Sequence, residues 1–97
     1  MLKGVLVTMK IKKEMILRQI GSDIILVPVG HAVKDHNGFF LLTETARFLW
    51  DKLPECKSVK ELANKLFDEY DVTEEQALAD TNEFIGKLLQ LDIIDIQ

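Results

Sequence analysis

The chain has 97 residues, 47% of them apolar and 29% charged, and a net charge of −4. Such a chain makes one small globular domain with a single core and little margin of size. No apolar run approaches the ~20 residues a membrane helix needs. The lysines near the N-terminus are not followed by the apolar run and small-residue cleavage site of a secretory signal.

Cys56 is the sole cysteine and cannot close an internal disulfide, which fits a reducing compartment; the chain reads as cytoplasmic. Charge is unevenly placed. Residues 1–20 carry five basic side chains against Glu14 alone, a net +4, and the rest carries seven basic and fifteen acidic, a net −8. An acidic body repels phosphate, so nucleic acid is not an expected partner, and with no spanning run neither is a membrane.

Residues 1–9 have no periodic pattern, and Met9 resembles a second start, which would make residues 1–8 an upstream extension. A flexible N-terminal extension is expected over residues 1–11, with the domain proper over 12–97. Met15 to Ile20 is the first predicted strand, closed by the turn cluster Gly21-Ser22-Asp23. Ile24 to Val29 is the second; Pro28 has no ladder donor and belongs at an edge, a bulge or the strand end. After a polar connection, Asn37-Gly38 supplies a tight turn, and Phe39 to Leu42 forms the third strand. Short connections favour an antiparallel meander, because parallel strands need long crossovers.

From Thr43 onward the period becomes helical. Thr43 caps a first helix that reaches Lys52 and stops before Pro54, with Ala46, Leu49, Trp50 and Leu53 on one face. Ser58-Val-Lys-Glu61 is a capping box opening the second helix, and Thr73-Glu-Glu-Gln76 is another opening the third. Val72 is placed to staple onto Ala77. The third helix runs to about Leu91, and Ile93 to Ile96 adds a short final strand. The predicted class is α+β, a three-stranded antiparallel sheet followed by three helices.

On a wheel of ~100° per residue, the apolar arc of the third helix spans about 160°, wider than one packing surface needs. Leu78, Ile85 and Leu89 form a separate ridge on it. Either they pack on a neighbouring helix or they form one wall of a groove. Gly86, on the far side, weakens the helix for no reason visible in the sequence.

Catalytic signatures are sparse. His31, Asp35 and His36 form a conceivable zinc set, but a polar loop of this composition is ordinarily just solvated. Cys56 stands beside Glu55, and an adjacent carboxylate raises a thiol pKa, which disfavours a nucleophile. No phosphate cradle, nucleophile elbow or metalloprotease motif occurs. The chain is read as a binding module without catalytic activity, metal or cofactor.

Two kinds of binding module fit strands followed by helices. A winged-helix DNA-binding regulator needs a basic recognition helix, whereas the third helix has Lys87 as its only cation against four acids. The other kind binds an extended peptide by strand addition, backbone bonds supplying affinity and alternate side chains supplying selectivity. The same open edge could also pair with a second copy and give a homodimer.

Three segments, Ile16-Leu-Arg-Gln-Ile-Gly21, Ile25-Leu-Val-Pro28 and Asn37-Gly-Phe-Phe-Leu-Leu-Thr-Glu-Thr-Ala-Arg-Phe-Leu-Trp50, together with the helical tail, resemble the PqqD family. These are the peptide carriers of pyrroloquinoline quinone biosynthesis, and the same domain serves more widely as the recognition element for ribosomally made, modified peptides. The resemblance spans Lys12 to Ile94. It departs at Thr43, where the family usually has Asn, and threonine is still a competent cap.

The resemblance implies a winged-helix-like fold that binds no DNA. It implies a leader peptide lying antiparallel along the third strand, in the cleft between that strand and the third helix. Carried onto this chain, the strand is Phe39, Phe40, Leu41 and Leu42, and the helical wall is Leu78, Ile85 and Leu89. The resemblance further implies a carrier acting in trans, presenting the precursor to a modifying enzyme, often a radical S-adenosylmethionine (radical SAM) enzyme.

Overall fold

The computed structural model describes residues 9–30 and 40–96. The expectations for His31, Asp35, His36, the Asn37-Gly38 turn and Phe39 lie outside them. Strand β1 is Met9–Ile11, β2 is Met15–Ile20, β3 is Asp23–Pro28 and β4 is Phe40–Leu42. Helices α1 (Glu44–Lys52), α2 (Val59–Glu69) and α3 (Glu74–Gln90) follow, then β5 (Ile94–Ile96).

The expected antiparallel sheet forms in the order β2-β3-β4. Gly21, at φ 62°, turns β2 into β3 in a conformation that costs glycine little. Pro28 is the last residue of β3, a position consistent with its missing donor. Beyond it, the Val29 N–H donates to the Glu14 carbonyl at 3.0 Å and fixes which residues of β3 bond toward β2.

The helix starts follow their local signals. The Thr43 hydroxyl accepts from the Ala46 N–H at 3.1 Å, and Ser58 Oγ accepts from the Glu61 N–H at 3.1 Å. Glu61 reaches back to the Lys57 N–H at 2.7 Å, one residue outside the expected partner. At α3 the box is half closed. Thr73 accepts from the Gln76 N–H at 3.0 Å, but the Gln76 side chain turns forward to Asp80 Oδ1 at 2.7 Å.

α3 ends in a two-bond reversal: Ile93 N–H donates to the Leu88 carbonyl at 2.9 Å, and Asp92 N–H to the Leu89 carbonyl at 3.0 Å. Asp92 occupies the left-handed position at φ 59°, and its carboxylate takes a 2.7 Å ion pair from Lys12 Nζ. The chain thereby returns to β5, which pairs with β1 in the register Met9↔Ile96 to Ile11↔Ile94. The expected flexible extension over 1–11 is corrected at its end. Met9 is buried, and Met9–Ile11 form a strand because β5 supplies their ladder partners.

The core joins Leu49, Leu53, Leu62, Leu66, Ala77 and Ile93 between the helices and the β1–β5 ribbon. Thr81 is wholly buried and satisfied, its hydroxyl donating to the Ala77 carbonyl at 2.7 Å. Cys56 belongs to this core. Burial pushes its thiol pKa up; Glu61 and, more weakly, Glu55 add to the rise, while Lys65 opposes it.

Three variants check these assignments. A Cβ added at Gly86 meets nothing within 4 Å, so Gly86→Ala should raise stability by about 0.5–1 kcal/mol in chemical denaturation. Ser58→Ala should lower it by about 1 kcal/mol. The raised Cys56 pKa means that the unfolded thiol ionises first as pH climbs through its ordinary value of 9.0. Stability is therefore lost with rising pH in that window, and the loss should be shallower in Cys56→Ala.

Candidate functional site

Strand β4 ends its sheet: among the described residues only β3 pairs with it. Beside it a cleft of about 540 Å³ opens between β4, the first turn of α1 and α3. Buried Leu26, Leu49, Phe84 and Leu88 make the floor, and half-buried Phe40, Leu42, Ala46 and Leu91 the sides. Thr43 and Thr45 stand at one rim, Asp80, Glu83 and Lys87 at the other. Thr43 thus both caps α1 and edges the cleft.

The pleat determines what the open edge offers. Hydrogen-bonded and non-bonded pairs alternate along an antiparallel ladder, and the Glu14–Val29 bond sets the phase. Val27 and Ile25 therefore bond toward β2, leaving Ile24 and Leu26 to bond toward β4. Leu42 and Phe40 are the respective partners of Ile24 and Leu26, so Leu41, opposite Ile25, is a non-bonded position. Its N–H and C=O accordingly point outward. Its side chain, 67% exposed, projects to the face opposite that of Phe40 and Leu42.

Of the sequence-predicted residues, Phe40, Leu41 and Leu42 line the cleft, and Phe39 lies outside the described residues. Leu78, Ile85 and Leu89 do not line it. Ile85 is buried in the core at 3% exposure, while Leu78 and Leu89 are exposed at 43% and 40%. An acidic substitution at Ile85 would bury an unpaired charge and unfold the domain, so it is no probe of a groove.

The helical wall is instead Asp80, Glu83, Phe84, Lys87, Leu88 and Leu91. Their spacing of i, i+3, i+4, i+7, i+8 and i+11 is a single helical stripe. It escaped the apolar wheel because half of it is charged. That stripe was the available signal.

The cleft has the attributes of a binding groove. Its floor is apolar, its polar groups stand at the rim, and Cys56 is not among its lining residues. Among the described residues no group of three His, Cys, Asp or Glu side chains is arranged to hold a metal.

Comparison with solved structures finds two chains of like fold at 20% identity. "TbiB1 in Complex with the TbiA(beta) Leader Peptide" aligns at a TM-score of 0.66, over 89% of this chain and 94% of that one. "Lasso peptide synthetase B1 complexed with the leader peptide" aligns at 0.67, over 90% and 96%. A comparison with curated protein sequences finds no match. The family model described as coenzyme PQQ synthesis protein D (PqqD) matches residues 15–94. The chain belongs to the PqqD family.

Proposed function

We propose that this protein is a non-catalytic carrier that binds the leader of a ribosomally made precursor peptide by adding it as a strand to β4. The bound precursor is then presented in the cytoplasm to a modifying enzyme of the radical SAM class. The recognition domain then begins at β1, whose Met9 is part of the core, rather than at residue 12.

The observation that carries this reading is the outward N–H and C=O of Leu41 standing beside an apolar cleft. An antiparallel guest residue opposite Leu41 would exchange both backbone bonds with it. The guest residues on either side would send their side chains into the cleft, since alternate positions share a face. Membership of the PqqD family and the leader peptides named with the two structural neighbours support the same reading. Electrostatics weigh against DNA, since Lys87 is the only cation of α3. Among the described residues no helix is long and apolar enough to cross a membrane.

Calorimetric titration with synthetic leader peptides, taken from any short precursor encoded beside the gene, tests the proposal. Micromolar or tighter binding is expected. Leu41→Pro removes only an outward donor at an edge strand, where proline is tolerated, so the domain should stay folded and affinity should drop tenfold or more. Leu41→Ala keeps the donor and should bind nearly as the parent does. Equal affinities for the proline and alanine variants would exclude strand addition at β4.

A further inference from the structure

The rim on α3 has a charge order of its own. Asp80 and Glu83 precede Lys87 along one stripe, all three facing the cleft. Glu83 and Lys87 stand at the i,i+4 spacing that favours an ion pair, yet among the described residues neither has one with the other or with any neighbour. Asp80 is held by the Gln76 amide at 2.7 Å, which is a neutral partner and leaves its charge uncompensated. The cleft wall therefore presents two negative charges followed by one positive charge above an apolar floor.

We infer that this wall reads charge order in the guest strand, selecting a basic side chain over Asp80 and Glu83 and an acidic one two residues away over Lys87. The inference rests on the peptide-binding reading of the same cleft. For a guest strand running along α3, the spacing follows from two rises. From the midpoint of Asp80 and Glu83 to Lys87 is about 8 Å along a helix that climbs ~1.5 Å per residue. Two strand residues cover about 7 Å, and residues two apart project to the same face. A guest whose backbone is bonded to Leu41 turns its two flanking residues, themselves two apart, toward this wall. Lysine and arginine suit the first position doubly, because their stems can lie on Phe84 and Leu88 while the charge reaches the rim.

The test is a selection of random twelve-residue displayed peptides against the full chain, each pool being counter-selected on Leu41→Pro. Enrichment of Lys or Arg and Asp or Glu two residues apart, flanked by apolar residues, is expected. The same selection on the double variant Glu83→Lys, Lys87→Glu should favour acidic residues over position 83 and basic ones over position 87. Peptides selected on the parent should bind that variant roughly three- to tenfold more weakly, the size expected of two rim ion pairs. Peptides that need Leu41 but show no charge pattern, or a pattern unchanged by the swap, would overturn the charge readout and leave strand addition standing. Pools indifferent to Leu41→Pro would overturn both.

Discussion

An antiparallel sheet that does not close on itself must end on strands with half of their peptide groups unpaired, and among the described residues this sheet ends on β2 at one side and on β4, beside the cleft, at the other. The constraint that matters is the phase of that ladder. One bond, Val29 N–H to the Glu14 carbonyl, fixes the alternation through β3 and leaves Leu41 facing outward. A shift of one residue would turn Leu41 inward and send Phe40 and Leu42 to the wrong face. Pro28 suits this phase, since its missing donor points away from β2.

Among the described residues nothing else pairs with that edge, and α3 gives it a second wall. α1 leaves β4 at once through its Thr43 cap, which ends the strand at Leu42. α3 packs on α2 and buries Ala77, Thr81 and Ile85, and its end is tied back by the Asp92 reversal and the β1–β5 ribbon. These attachments lie away from the cleft stripe. A helix bonded on its other faces can leave one stripe open without losing its place.

Local chemistry was the legible part of the sequence. Thr43, Ser58 and Thr73 each cap a helix because a side chain three residues from its partner acts whatever the tertiary fold. The β2-β3-β4 meander was legible for the same reason, being built from near neighbours in sequence. The pairing of β1 with β5 was not, because three-residue strands from opposite ends of the chain carry no mutual signal. The wall of the cleft was read from apolar side chains, which identified residues that pack or lie on the outside, such as Ile85 and Leu78. Half of the α3 stripe that lines the cleft is charged, and a hydrophobic wheel discards charge. Recognising Asp80, Glu83 and Lys87 required knowing which side of α3 meets β4.

Backbone amide spectra of the labelled protein, with and without a bound leader from a neighbouring precursor gene, address the central claim directly. Strand addition at β4 predicts that the Leu41 amide becomes protected from hydrogen exchange, with shift changes concentrated on β4, the start of α1 and the Asp80–Leu91 stripe. Binding that leaves the Leu41 amide unprotected and moves resonances on α2 or on the outer ridge of Leu78 and Leu89 would contradict it.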